Sequence, residues 1–221
     1  MEWFKTYLTD RKQKIVLNNT ESEIDCLYAG VPQGSVVDPV LFLIGINDRA
    51  DHTDGICRLF ADNTSLGHSS NDLQNLQDMI NSDLSSIKKW SEDWLITLNP
   101  DKADIMLFES RRQGNLTFKF GQTNILSVDF HKHLGIVFSS DGKWTRHIDY
   151  ILSKASKQVC VLRKLKFILK REILEKIYLT FIRPLLEYSC EVWDNCSQTD
   201  NDRLENVKLV AARIVTGLTV Y

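Results

Sequence analysis

The chain has 221 residues, with 27 Lys and Arg against 29 Asp and Glu and a formal net charge of -2. With 43 % hydrophobic residues, 10 Gly and 4 Pro, it is neither collagen-like, nor a low-complexity linker, nor wholly disordered. The length suits one large domain or two small ones, each able to bury a core.

In chain order, Trp3, Phe4, Tyr7 and Leu8 recur at helical spacing and predict the end of a helix. Strand-like runs at 14–17 and 24–28, separated by Asn18-Asn19-Thr20, predict a hairpin. Gly30 to Ser35 is a turn-rich loop. Asp38-Pro39 then opens an apolar helix, with Asp38 as its cap and Pro39 in its first turn. Residues 56–60 and 64–66 predict a second hairpin of two buried strands, turning at Ala61-Asp62-Asn63. A long amphipathic helix follows from about Asn71, its apolar face made by Leu73, Leu76, Ile80, Leu84, Ile87, Trp90 and Trp94. Pro100 ends that stretch, and strands are predicted at 105–108, 116–120 and 134–138. From Thr145 the pattern turns helical, with helices near 145–165, 171–190 and 200–216. The expected fold class is α+β: a mixed unit over 1–142 followed by a helical one over 143–221.

The N-terminal residues carry no apolar core with a cleavage site, so a secretory signal is not expected. The longest apolar run, 40–46, is far below the roughly 20 residues of a membrane span. Five scattered cysteines without a C-x-x-C pair argue against a zinc or disulfide framework, and predict reduced, mostly buried thiols in an intracellular protein.

Two local features suggest chemistry. Asp62 at the tip of a tight hairpin is a rigidly held hard-oxygen donor of the kind that phosphoryl transfer employs; taken alone, Asp62-Asn63 equally reads as turn chemistry. The glycines around Pro32-Gln33 let backbone pass close to a substrate, while Gln33 can hydrogen-bond a base or sugar edge. A plain connecting turn is the other reading.

The features occur in order, joined by an apolar helix. The series Gly30-Val31-Pro32-Gln33-Gly34-Ser35, Pro39, Leu41-Phe42-Leu43-Ile44, Ile46-Asn47-Asp48 and Leu59-Phe60-Ala61-Asp62 resembles the reverse transcriptase of a jockey-like non-LTR retrotransposon. Further segments agree: Trp3-Phe4-Lys5 with Arg11-Lys12-Gln13; Trp94-Leu95 with Leu98-Asn99 and Lys102; Lys132-His133-Leu134-Gly135-Ile136 with Trp144 and His147-Ile148; and Phe181-Ile182-Arg183-Pro184 with Tyr188 and Trp193.

The resemblance implies a partial right-hand polymerase palm, an antiparallel sheet plus helices, followed by a helical thumb. It implies RNA-directed DNA polymerisation with Mg²⁺, on an RNA template and DNA primer with deoxynucleoside triphosphates, and no membrane. Asp62 matches the first metal-binding Asp of the hairpin and Asn63 its neighbour. Gln33, Gly34 and Ser35 match the loop against template and nucleotide, Lys102 a lysine near the leaving pyrophosphate, and Leu134 and Gly135 the primer grip. The chain departs from the family at Asn63, where a second Asp is expected, and at Asp38 and Gly45. An amide brings no negative charge, although some viral RNA polymerases tolerate Asn there. The other metal-binding Asp belongs to a motif upstream of Trp3, as do the fingers. The expectation is therefore a truncated copy, inactive alone. The alternatives are a non-catalytic nucleic-acid-binding remnant and a poorly folding pseudogene product.

Net charge conceals a strong asymmetry. From Lys143 to Glu187 eleven Lys and Arg face four Asp and Glu, a basic stretch suited to phosphate contacts through Arg163, Lys164 and Lys166.

Overall fold

A computed structural model of the protein describes residues 2–31, 34–108 and 116–218. These fall into two compact units, the first drawn from Met1–Ala103 and Gln113–Leu126, the second from Asp104–Arg112 and Ser127–Tyr221. Helices are mixed with small antiparallel sheets, an α+β composition.

The first unit opens with α1 (Glu2–Leu8), as the aromatic spacing predicts. The hairpin after it is nested rather than simple. Strands β1 (Arg11–Gln13) and β4 (Asp25–Leu27) pair with each other, and inside them β2 (Val16–Leu17) pairs with β3 (Thr20–Glu21). Asn18 and Asn19, at φ 49° and 62°, make the tip; asparagine tolerates this left-handed geometry better than most residues. Helix α2 (Asp38–Ile46) carries Pro39 in its first turn, but Asp38 is not its cap. Asp38 is the first helical residue, and it exchanges hydrogen bonds with Ser35: the Asp38 N–H donates to Ser35 Oγ (3.2 Å), and the Ser35 N–H donates to the Asp38 carboxylate (3.3 Å). Ser35 therefore closes the turn in the manner of a capping box.

A 3₁₀ segment, Asn47–His52, leads into β5 (Ile56–Phe60) and β6 (Asn63–Gly67). Helix α3 (Leu73–Asp93) is capped by Asp72, whose carboxylate accepts the N–H groups of Gln74 and Asn75. Its buried stripe includes Ile87 and Trp90, whereas Trp94 lies beyond the helix and is half exposed. A short 3₁₀ turn, Pro100–Lys102, precedes β7 (Asp104–Ile105). Strands β8 (Phe118–Phe120) and β9 (Thr123–Ser127) form a hairpin. Asn81 and Gln77 of α3 hold that hairpin by its backbone: Asn81 bonds Thr117 O and the Lys119 N–H, and Gln77 accepts the Thr117 N–H. Phe118 is thereby buried against the helix.

The second unit contains β10 (Phe130–His133) and β11 (Ile136–Ser139), paired from Phe130↔Ser139 to His133↔Ile136. Leu134 is thus in a turn, not in the strand predicted over 134–138. Helix α4 (Thr145–Leu165) has the predicted bounds. The helix predicted over 171–190 is α5 (Arg171–Ile177), a π turn (Tyr178–Ile182) and α6 (Arg183–Glu187), followed by a break before α7 (Cys190–Trp193). Pro184 explains the π turn, since it lacks an N–H and its ring crowds the carbonyl four residues earlier. Helix α8 (Gln198–Thr216) is capped by Ser197 and ends at Gly217. One continuous core joins these helices: Ile148, Ile151, Val159 and Leu162 of α4 pack with Leu174, Ile182, Leu186, Trp193, Leu204 and Ile214. Asp200, almost fully buried, ties α8 to α4 by accepting Thr145 Oγ1 (2.8 Å) alongside Ser197 and Arg203. These hydrogen bonds hold its pKa below the usual carboxylate value against the opposing effect of burial.

All five cysteines are free. Cys26 and Cys160 are exposed and the other three half-buried, so the expectation of mostly buried thiols does not hold.

Candidate functional site

The hairpin β5–β6 is closed by a two-residue turn, with Phe60 paired to Asn63 and Ala61-Asp62 between them. Ala61 sits at φ 50°, a left-handed conformation that costs a non-glycine residue on the order of 1 kcal/mol. The turn fixes Asp62 at the extreme tip, where both Asp62 and Asn63 are exposed. The supporting strands are not buried as expected. Cys57, Leu59 and Leu66 are half-buried, while Ile56 and Phe60 on the other face are 63 % and 62 % exposed. The donors at the tip are one carboxylate and one neutral amide. Among the described residues, no three His, Cys, Asp or Glu side chains gather where they could share an ion. This donor set does not fit a pair of divalent cations.

Polar contacts anchor the hairpin from below. Arg49 is buried, donates to Thr64 Oγ1, and places its guanidinium 4.5 Å from the centre of the Trp90 ring. Burial lowers its pKa. Trp90 in turn donates its indole N–H to Asp48 (2.9 Å). Asp48 is therefore a structural partner of Trp90. A second knot was invisible in the sequence. His68 and Asp83 pair at 2.7 Å with both side chains about 2 % exposed. Asp83 also accepts the N–H groups of Asp54 (2.9 Å) and Gly55 (3.1 Å). These bonds lower the Asp83 pKa although burial acts to raise it. Gly55 lies so close to the His68 ring that an added Cβ would come within 2.3 Å of Nε2.

Of the loop residues expected at a substrate, Gln33 lies outside the described residues. Gly34 is exposed at φ 91°, and Ser35 is engaged with Asp38. The approach to the loop is pinned by Arg11, whose guanidinium donates to the carbonyls of Ala29 (2.9 Å) and Gly30 (2.6 Å). Lys102 is exposed at the end of its 3₁₀ turn, which Asn99 caps through the Asp101 N–H. Among the described residues, no hydrogen bond or ion pair joins Asp62, Ser35 and Lys102.

In the second unit, Leu134-Gly135 is the two-residue turn of β10–β11, with φ 47° and 88°. Two positive φ angles are the mark of the primed turns that tight hairpins favour. The turn is clamped by Tyr188, whose hydroxyl donates to Leu134 O (2.9 Å) and whose ring leaves no room for a Cβ at position 135. His131 and His133 are both half-buried, and His131 bonds Asp104 at 2.7 Å. Below the turn, Val137 N–H donates to Nδ1 of the buried His147 (3.3 Å), and burial lowers the His147 pKa.

The cations of this unit separate into two kinds. Arg183 pairs with Glu187, and Arg203 with Asp149 and Asp200. Arg163, Lys164 and Lys166 make no ion pair among the described residues, and the first two are exposed. Lys132 and Lys154 lie 4.8 and 4.4 Å from the centre of the Tyr150 ring, and Arg146 lies 4.8 Å from that of Phe130. The two ammonium groups beside Tyr150 draw its pKa down. Sequence reasoning did not single out this cation–aromatic cluster; its only trace was the Tyr150–Lys154 spacing of one helical turn.

The reverse transcriptase (RNA-dependent DNA polymerase) family is matched over residues 1–158, and the chain belongs to it. More particularly, it is similar to enzymes of insect mobile elements. It is 24 % identical to the RNA-directed DNA polymerase from mobile element jockey of Drosophila melanogaster, over 98 % of this chain and 25 % of that protein. It is 23 % identical to the probable RNA-directed DNA polymerase from transposon BS of the same species, with the same coverage, and 22 % identical to that from transposon X-element, over 96 % and 24 %. The chain thus spans about a quarter of the length of these curated relatives. No solved structure matches it significantly. Among the described residues, no helix is long and apolar enough to cross a membrane.

Proposed function

We propose that the chain is a segment of an RNA-directed DNA polymerase of a non-LTR mobile element, and that it does not polymerise by itself. Residues 1–142 correspond in this reading to part of a palm, and residues 143–221 to a basic thumb. Asp62 serves as the hairpin carboxylate beside Asn63. Gln33, Gly34 and Ser35 lie along template and nucleotide, Lys102 near the leaving group, and Leu134 and Gly135 at the primer end. Arg163, Lys164 and Lys166 hold phosphates. The observation that carries the reading is the tight turn that presents Asp62, within a chain of this family. The same tip supports the claim of inactivity, because one carboxylate and an amide supply too little negative charge for two-metal chemistry.

A primer-extension assay on a primed RNA template with deoxynucleoside triphosphates, in Mg²⁺ or Mn²⁺, tests this. The chain is expected to yield no extended product. Robust extension that disappears in Asp62→Ala would contradict the inactivity while supporting the role of Asp62.

A second reading, nucleic-acid binding without catalysis, is favoured by one specific observation. The acid-free stretch of α4 and its following turn leaves its cations unneutralised, and polyanion binding is what such a surface does.

A further inference from the structure

The turn between α4 and α5 exposes two neighbouring large apolar side chains, Phe167 at 83 % and Ile168 at 76 %. The backbone there is held in place. The N–H groups of Ile168 and Leu169 both donate to Leu165 O (2.9 Å each), while Leu165 and Leu169 pack against the helical core. Phe167 and Ile168 therefore project from a fixed turn whose other two leucines face inward.

Cations surround this tip. Between Tyr150 and Arg171 the sequence holds seven Lys and Arg and no acid. Lys166 lies 5.7 Å from the centre of the Phe167 ring. Arg163, Lys164, Lys170 and Arg171 make no ion pair among the described residues. Isolated exposed apolar residues are ordinary. An aromatic–aliphatic pair at the end of a helical hairpin, flanked in the sequence by cations without ion pairs among the described residues, matches a ligand that carries anions outside and flat apolar faces within. A single nucleic-acid strand has that chemistry. An anionic bilayer shares the charge but needs a broad apolar face, and the residues of α4 leading to the turn present Ser153, Lys154, Ser156, Lys157 and Gln158 to solvent, with Val161 the one exposed large apolar side chain of that helix.

We propose that Phe167, with Ile168 beside it, stacks on a nucleobase of a strand whose phosphates are held by Arg163, Lys164, Lys170 and Arg171. This rests on the proposed nucleic-acid role of the basic helices and adds a base-contacting element to it. Stacking of this kind tolerates any sequence, because every base has a π face.

The test is fluorescence anisotropy of the whole chain with a labelled 20-nucleotide single strand, with inorganic polyphosphate as a polyanion lacking bases, and with phosphatidylserine vesicles. Phe167→Ala is expected to weaken strand binding about tenfold. Its salt dependence and its polyphosphate affinity stay as in the parent, and Phe167→Trp restores strand binding. Equal strand affinity in Phe167→Ala and the parent overturns the stacking while leaving salt-dependent nucleic-acid binding intact. Equal losses for strand and polyphosphate mark a structural defect and overturn it too, as does a Phe167 requirement confined to vesicles. A parent chain that binds no strand at any salt removes both this inference and the reading beneath it.

Discussion

The two units bury their apolar residues in different ways. In the second, α4 supplies a central stripe, Ile148, Ile151, Leu152, Ala155, Val159 and Leu162, and every later helix adds a residue to the same core. Among the described residues of the first, the buried apolar ones are few: Ile46, Ile87, Trp90, Phe118 and Ile125. Polar knots take over much of the work of fixing the chain, through His68 with Asp83, Arg49 with Thr64 and Trp90, and Asn81 with the β8–β9 backbone. Meanwhile Trp3, Val40, Leu43, Ile44, Ile56 and Phe60 lie open. Truncating a buried apolar side chain forfeits its burial and leaves a cavity, whereas removing one member of a buried polar knot leaves its partners without a hydrogen bond. The helical unit should therefore behave as an independent cooperative body, and the hairpin unit as a structure held at a few specific points.

The largest expected effect lies in the helical core. Ile148→Ala should cost about 2–5 kcal/mol in denaturant unfolding, while Phe60→Ser on the open hairpin face should stay within about 0.5 kcal/mol. Comparable costs would erase the contrast between the units. Next comes Asp83→Asn, which removes the charge that His68 and two backbone N–H groups surround. A loss of about 1–3 kcal/mol is expected, read as reduced amide protection in the first unit alone.

Acid should separate the units as well. The His147 pKa is lowered by burial. Its unfolded form takes up a proton first, so its contribution is present above pH ~6.5 and is lost as pH falls below that. The Asp83 pKa is also lowered. Its contribution is present above about pH 3.9 and is lost only as pH falls further, through the folded value. The contribution of His147 should thus fade in milder acid than that of Asp83, and His147→Gln should flatten the early slope in unit-resolved hydrogen exchange. Two smaller effects concern the turns. Tyr188→Phe should cost about 0.5–1.5 kcal/mol through the lost bond to Leu134 O. Ala61→Gly should relieve the left-handed strain by no more than about 1 kcal/mol.

Much of the fold was legible because it follows strong periodicities. The bounds of α4 emerged from its apolar stripe, and the β5–β6 hairpin from two short apolar runs about a tight turn. Less legible were elements whose patterns are weak or whose burial depends on distant partners. Strand β9, reading Thr-Asn-Ile-Leu-Ser, is too short and polar to register as a strand. Asp83 sits within the buried stripe of α3, yet a carboxylate there reads as solvent-facing until His68 and the 54–55 backbone are brought to it. Ile56 and Phe60 look like core residues in any alternation pattern, and only the structure shows that their face is open. Of the candidate site, the position of Asp62 followed from local sequence, whereas the Leu134-Gly135 turn fell inside a predicted strand. The Tyr188 clamp and the Lys132–Tyr150–Lys154 cluster, formed across long separations, did not follow from it either.

The most direct test of the nucleic-acid reading is the salt dependence of binding to a primed RNA template, compared between the parent chain and a variant with Arg163, Lys164 and Lys166 all changed to Gln. If these three side chains neutralise phosphates, the slope of log K against log salt should fall by about 2–3 in the variant. An unchanged slope at equal affinity would contradict the account.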